Sequence, residues 1–139
     1  LACGLAQRVL DESVAYARER RQFGSPIGDF QLVQAMLADS QAELYAGWSM
    51  VQDCARRYDA RPDGRRDPDV SMRASCAKLF CSEMAGRVAD RGVQVHGGAG
   101  YINYSKVDRF YRDVRLLRLY EGTSQIQQLI IGRALVRGD

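Results

Sequence analysis

A carboxylate in a glycine-relieved turn just ahead of a helix is well placed for proton transfer. The stretch Leu119-Tyr120-Glu121-Gly122-Thr123-Ser124-Gln125-Ile126-Gln127 has that form. Ser124 with Gln127 three residues later fits a capping box, the hydroxyl covering a helix N–H and the amide reaching back. Glu121 therefore falls where backbone N–H groups converge at a helix start. Two readings of it stand side by side. Glu121 is either a base working on a bound substrate or an acid favoured at the positive end of the helix dipole. Taken alone, the turn favours the second.

Two further stretches carry candidate chemistry. In Arg20-Arg21-Gln22-Phe23-Gly24 an arginine at a helix end precedes an aromatic residue in a turn. Such a pair can clamp a phosphate and cover a flat ring. The alternative is a dipole-favoured arginine and a phenylalanine plugging the core. In Gln94-Val95-His96-Gly97-Gly98-Ala99-Gly100-Tyr101, the glycines allow backbone to approach a ligand and present N–H groups to phosphate. The alternative is a plain helix stop. The stretch follows a helix rather than a strand, so it is not a dinucleotide-binding fingerprint. A lone histidine such as His96 is more often a satisfied structural residue than a base.

Helices must position these stretches. Ala2, Leu5, Ala6, Val9, Val14 and Ala17 recur at three- and four-residue steps, which predicts an amphipathic helix from Leu1 to about Arg21. Phe23 to Gly28, with two glycines and a proline, should stop it. Asp29 is the expected N-cap of a second helix with the stripe Val33, Leu37, Leu44, Trp48, Val51 and Ala55. A polar loop from Arg61 to Arg66 should follow, then a third helix capped by Asp67 with Pro68 at its first position. The stripe of that helix (Ala74, Ala77, Cys81, Met84, Val88, Val95) is rich in small residues, which predicts close approach and a central place. A short helix over Val107–Arg115, a turn over Leu116–Thr123 and a final helix over Ser124–Val136 complete the chain. No useful length alternates with a strand period. The expected fold is all-α: an antiparallel four-helix-bundle-like domain of three long helices, one short helix and a shorter final one.

Composition narrows the function. The 139 residues suit one domain, and the absence of an initiating Met predicts one domain of a longer polypeptide. The net charge is +3, and only Lys78 and Lys106 among the twenty basic residues are not arginine. Many arginines neighbour acids, as in Arg18-Glu19-Arg20, which argues against nucleic-acid binding. Cys3, Cys54, Cys76 and Cys81 show no CxxC spacing, which predicts reduced core thiols. With His96 the single histidine, a zinc site is not expected. No apolar run approaches a membrane span.

Taken in order, Glu19-Arg20-Arg21-Gln22-Phe23-Gly24, Gln94 to Tyr101, Tyr111-Arg112-Asp113 and Tyr120 to Gln127 make the chain resemble the C-terminal helical domain of the acyl-CoA dehydrogenase family. The resemblance runs from Gly4-Leu5-Ala6-Gln7 to the last helix. It implies that residues 1–139 are the last domain of a flavoenzyme whose N-terminal helical and middle β domains lie outside this chain. It also implies FAD held between subunits of a homodimer or homotetramer. Glu121 then matches the catalytic base, and Gly122 a backbone position beside the acyl-CoA thioester. Thr123 and Gln125 match FAD contacts. Arg20, Phe23, Gln31 and the segment Gln94, Val95, His96, Gly97 and Gly98 match contacts to the FAD of the neighbouring subunit. Gln22 stands where some relatives carry threonine.

The implied reaction removes the α-proton of the thioester at Glu121 while the β-hydrogen leaves as hydride to the flavin. N–H donors stabilise the enolate, and substrate burial desolvates and strengthens the base. Electrons would pass to an electron-transfer flavoprotein or similar acceptor, in the cytoplasm or, in a eukaryote, the mitochondrial matrix. The isolated chain should be inactive. An acyl-CoA oxidase or another flavin enzyme of the superfamily is the nearest alternative. A non-enzymatic helical assembly or nucleic-acid-binding module is the other.

Overall fold

The computed structural model describes residues 1–61 and 67–137, and the expected polar loop from Pro62 to Arg66 lies outside them. Among the described residues six helices form: α1 (Ala2–Glu19), α2 (Gln31–Asp59), α3 (Pro68–His96), α4 (Gly98–Tyr101), α5 (Lys106–Leu116) and α6 (Ser124–Arg137). A two-stranded antiparallel hairpin, β1 (Arg21–Gln22) and β2 (Ser25–Pro26), and a 3₁₀ turn at Ile27–Asp29 join α1 to α2. The domain is all-α, as expected, with this one small sheet added. Each strand is two residues long, too short to leave a period-two pattern.

Local chemistry sets the helix starts. The Asp67 carboxylate accepts from the N–H of Asp69 at 2.7 Å and of Val70 at 3.4 Å, and Pro68 follows it, as the sequence predicted. Ser105 caps α5 in the same way, its hydroxyl accepting from Val107 and Asp108 at 3.1 Å each. Asp29 does not cap α2. It closes the 3₁₀ turn instead, and Phe30 occupies the cap position without a side-chain bond.

Contacts along the helices give their directions. Cys3, near the start of α1, meets Cys81 midway along α3, and Val9 lies against Gly92 further along both, so these two helices run parallel. Along α2 the order reverses: Gly47 lies against Cys81, and Glu43 pairs with Arg87 and Arg91. Chain order thus gives an up–down–up arrangement. α3 contacts α1, α2, α4, α5 and α6 and is the central element. A Cβ on Gly92 would stand 2.5 Å from Val9 Cγ1, so this position admits only glycine at the observed spacing of α1 and α3.

The main core joins Ala6, Val9 and Leu10 of α1 with Leu44 of α2, Met84, Ala85, Val88 and Ala89 of α3, and Val114 and Leu117. A second cluster at the far end gathers Ala17, Ile27 and Val95, with Tyr16, Phe30 and Val33 packed against it. The predicted stripes hold for most of α1 and α3, although Ala74 is exposed. On α2 the stripe is covered at Leu44 but open at Trp48 and Val51. These two side chains face a cleft rather than the core.

Candidate active site

The cleft has a volume of about 260 Å³ and an apolar lining from Ala2, Cys3, Trp48, Val51, Ala77 and Cys81. Lys78, Tyr120 and Glu121 stand at its polar side. Glu121 adopts φ +54°, the left-handed region that costs an L residue about 1–2 kcal/mol. Gly122 follows at φ +85°. Two consecutive left-handed residues lift the Glu121 side chain out of the chain path, and it is exposed beside the cleft with no ion-pair partner within 4.0 Å among the described residues.

Donors converge on the carbonyls of this turn. Lys78 Nζ, from α3, donates to Leu117 O at 2.9 Å and to Gly122 O at 2.7 Å. Gln127 Nε2, from the first turns of α6, donates to Glu121 O at 3.3 Å and Gly122 O at 3.4 Å. The Ser124 N–H closes the turn on Arg118 O at 3.2 Å. Below it, Glu83 of α3 accepts from the Ser124 hydroxyl at 2.7 Å and pairs with Arg118 at 3.2 Å.

The expected capping box is therefore not formed. The Ser124 hydroxyl is committed to Glu83, and the cap hydroxyl is that of Thr123, which accepts from the Ile126 N–H at 3.3 Å. Gln127 does reach back, but as a donor to carbonyls. Lys78, Glu83 and Arg118 escaped the sequence reading. One weak signal was available for the first: Lys78 is one of two lysines in a chain that otherwise uses arginine.

Cys3 and Cys81 lie under the cleft with their sulfurs 3.6 Å apart, both as free thiols. Burial, reinforced by the neighbouring Cys3, pushes the Cys81 thiol up to about 12. It is an inert apolar floor and not a nucleophile.

The other candidate residues lie at the far end of the bundle. α1 carries the chain 18 residues from the cleft to Arg20, about 27 Å at 1.5 Å per residue. Phe23, at φ +52° in the hairpin turn, is 94% exposed and meets Phe30 edge to face, with ring centroids 6.1 Å apart. It does not plug the core. A large apolar ring held out in a strained backbone conformation suits contact with a partner surface. Arg20 and Gln31 are exposed nearby in the chain. Gln94, Gly97 and Gly98 are exposed at the end of α3, and a Cβ on either glycine would meet nothing within 4 Å. Val95 turns its side chain into the second core cluster, which leaves only its backbone to face outward. His96 bonds Gly92 O through Nδ1 at 2.8 Å and stacks on Tyr16 at 4.3 Å, the satisfied structural histidine the sequence favoured. Thr123 is half-buried and Gln125 exposed, both beside Glu121 at the start of α6. The structure thus gathers Glu121, Gly122, Thr123 and Gln125 at one end and Arg20, Phe23 and Gln94 to Gly98 at the other.

This arrangement has known counterparts. The family model described as acyl-CoA dehydrogenase, C-terminal domain, matches residues 1–136. The chain belongs to the acyl-CoA dehydrogenase family, as its C-terminal helical domain. It is 44% identical to the probable acyl-CoA dehydrogenase YngJ of Bacillus subtilis, over 99% of this chain and 34% of that protein. It is 42% identical to the CarC subunit of the caffeyl-CoA reductase–Etf complex of Acetobacterium woodii, over 96% of this chain and 34% of that protein. Its structure resembles that of an acyl-CoA dehydrogenase from Bacillus anthracis solved with FAD, with a TM-score of 0.90 and 33% identity over 98% of this chain and 25% of the other. The chain spans about a third of the length of the curated relatives it matches.

Proposed function

We propose that this chain is the C-terminal domain of an FAD-dependent acyl-CoA dehydrogenase, which takes the α-proton of an acyl-CoA thioester on Glu121 during α,β-dehydrogenation. One observation carries the reading: a carboxylate in a strained, firmly anchored turn, with no ion-pair partner among the described residues, at the polar side of an apolar cleft. An acyl chain in the cleft would bring its α-carbon to the carboxylate and exclude water from it. Among the described residues the Glu121 N–H meets no backbone acceptor, so it remains available to the thioester carbonyl, where enolate charge develops.

The residues present fit FAD. The Thr123 hydroxyl and Gln125 amide supply donors beside the base, and Arg20, the Phe23 ring and open glycine backbone supply a second, separate set. Bound there, the flavin would accept the β-hydrogen as hydride. The two sets stand at opposite ends of α1, so they serve two flavins, one beside this chain's Glu121 and one belonging to a neighbouring subunit. That separation supports a homodimer or dimer of dimers, with N-terminal helical and middle β domains completing each site.

The likeness to a subunit of a caffeyl-CoA reductase–Etf complex supports an electron-transfer flavoprotein as the redox partner. It also favours a second reading, in which the same residues run the reaction as a reduction and Glu121 returns the proton. An acyl-CoA panel on the full-length flavoprotein, with an artificial electron acceptor, tests the proposal. Thioester-dependent flavin bleaching and enoyl-CoA formation are expected, and no bleaching with any saturated thioester would overturn it. Bleaching of the dithionite-free enzyme only by reduced acceptor, with enoyl-CoA consumed, would favour the second reading.

A further inference from the structure

We propose that Lys78 is a positioning residue for the catalytic turn, a role that rests on the reading of Glu121 as the proton acceptor. Its ammonium bonds Leu117 O at 2.9 Å and Gly122 O at 2.7 Å, so one side chain from the central helix ties together both ends of the turn that carries Glu121. These are charge-assisted bonds, roughly twice as strong as neutral ones. The turn needs such a restraint. Glu121 sits in a left-handed conformation that an L residue leaves readily unless its surroundings hold it. The Gln127 amide reaches the same Gly122 oxygen, but at 3.4 Å and without charge. No carboxylate lies within 4.0 Å of Lys78 among the described residues, so its bonds to the turn are not secondary to an ion pair.

Lys78 is half-buried, is bonded among the described residues to backbone oxygens of this turn alone and lines the same cleft as Glu121. It fixes where the carboxylate stands relative to the substrate α-carbon without touching the reacting atoms. Loss of the ammonium lets the turn relax toward ordinary backbone angles, and a misplacement of about 1 Å in a reacting group can cost on the order of 10²-fold in rate.

The test uses the full-length flavoprotein with Lys78→Met, Lys78→Gln and Glu121→Gln in parallel, measuring flavin content, kcat, KM and the α-deuterium isotope effect. For Lys78→Met the expected result is full flavin content, little change in KM, a kcat lower by roughly 10²-fold, and a larger α-deuterium isotope effect because proton abstraction becomes limiting. A merely structural role would lower the yield of holoenzyme and leave the isotope effect unchanged, which would overturn the inference. Loss of flavin from both Lys78 variants would overturn it as well, since the proposed role concerns where Glu121 stands and not the binding of flavin. An inactive Glu121→Gln beside a Lys78→Met of normal kcat removes the role of Lys78 alone. A fully active Glu121→Gln removes the reading of the base on which it rests.

Discussion

Gly122 and Gly24 form a natural control pair for the anchored turn. Both have φ +85°, so alanine at either position meets the same left-handed penalty of about 1–2 kcal/mol. Their surroundings differ. A Cβ on Gly24 meets nothing within 4 Å, whereas a Cβ on Gly122 would stand 2.6 Å from Gln127 Nε2. The amide must then swing away and release its bonds to Glu121 O and Gly122 O. At 3.3 and 3.4 Å these are long bonds, so together they contribute about 1 kcal/mol, the lower end of the usual net value. Gly24→Ala is therefore expected to cost about 1–2 kcal/mol and Gly122→Ala about 2–3 kcal/mol. Urea unfolding followed by the fluorescence of the single tryptophan, Trp48, measures both, as a shift of midpoint at unchanged slope. Equal losses would show that Gln127 does not restrain the turn. No loss at either position would refute the left-handed backbone assignment itself.

Two further outcomes follow from the electrostatics. Burial works against ionisation of Glu43, but hydrogen bonds from Arg91 and Arg87 outweigh it and hold the carboxyl below its ordinary 4.5. A lowered folded-state value gives stability that is present above 4.5 and lost as the pH falls through the lowered value. Glu43→Gln should then melt below the wild type at neutral pH, with the gap closing in acid; a gap that stays constant into acid would contradict the pairing. For Cys81, a thiol pushed up to about 12 should escape iodoacetamide at mildly alkaline pH in the folded chain, while the half-buried Cys54 and Cys76 react first. Alkylation of Cys81 at the rate of an unfolded control would contradict its place under the cleft.

Periodicity made the helices legible, because α1, α2 and α3 each repeat apolar side chains over several turns. It could not say what covers each face. The stripe on α2 continues through Trp48 and Val51, yet these line the cleft and not the core. The hairpin at Arg21–Pro26 was invisible because its strands carry no period, and with it the outward placement of Phe23. The site was legible where its signal is local, in Tyr120-Glu121-Gly122-Thr123. What anchors it is not local. Ser124 looks like a helix cap, but its hydroxyl is taken by Glu83, 41 residues earlier in the chain. Lys78 reaches Gly122 across 44 residues, and no spacing rule links two positions so far apart.

The measurement that bears most directly on the central claim is anaerobic mixing of the full-length Glu121→Gln flavoprotein with an acyl-CoA thioester that bleaches the wild-type flavin. The exchange is isosteric at an exposed side chain, so fold and flavin content should be unchanged. Loss of a general base predicts bleaching slower by at least about 10²–10⁴-fold with the thioester still bound. Bleaching at the wild-type rate would contradict the assignment of Glu121 as the proton acceptor.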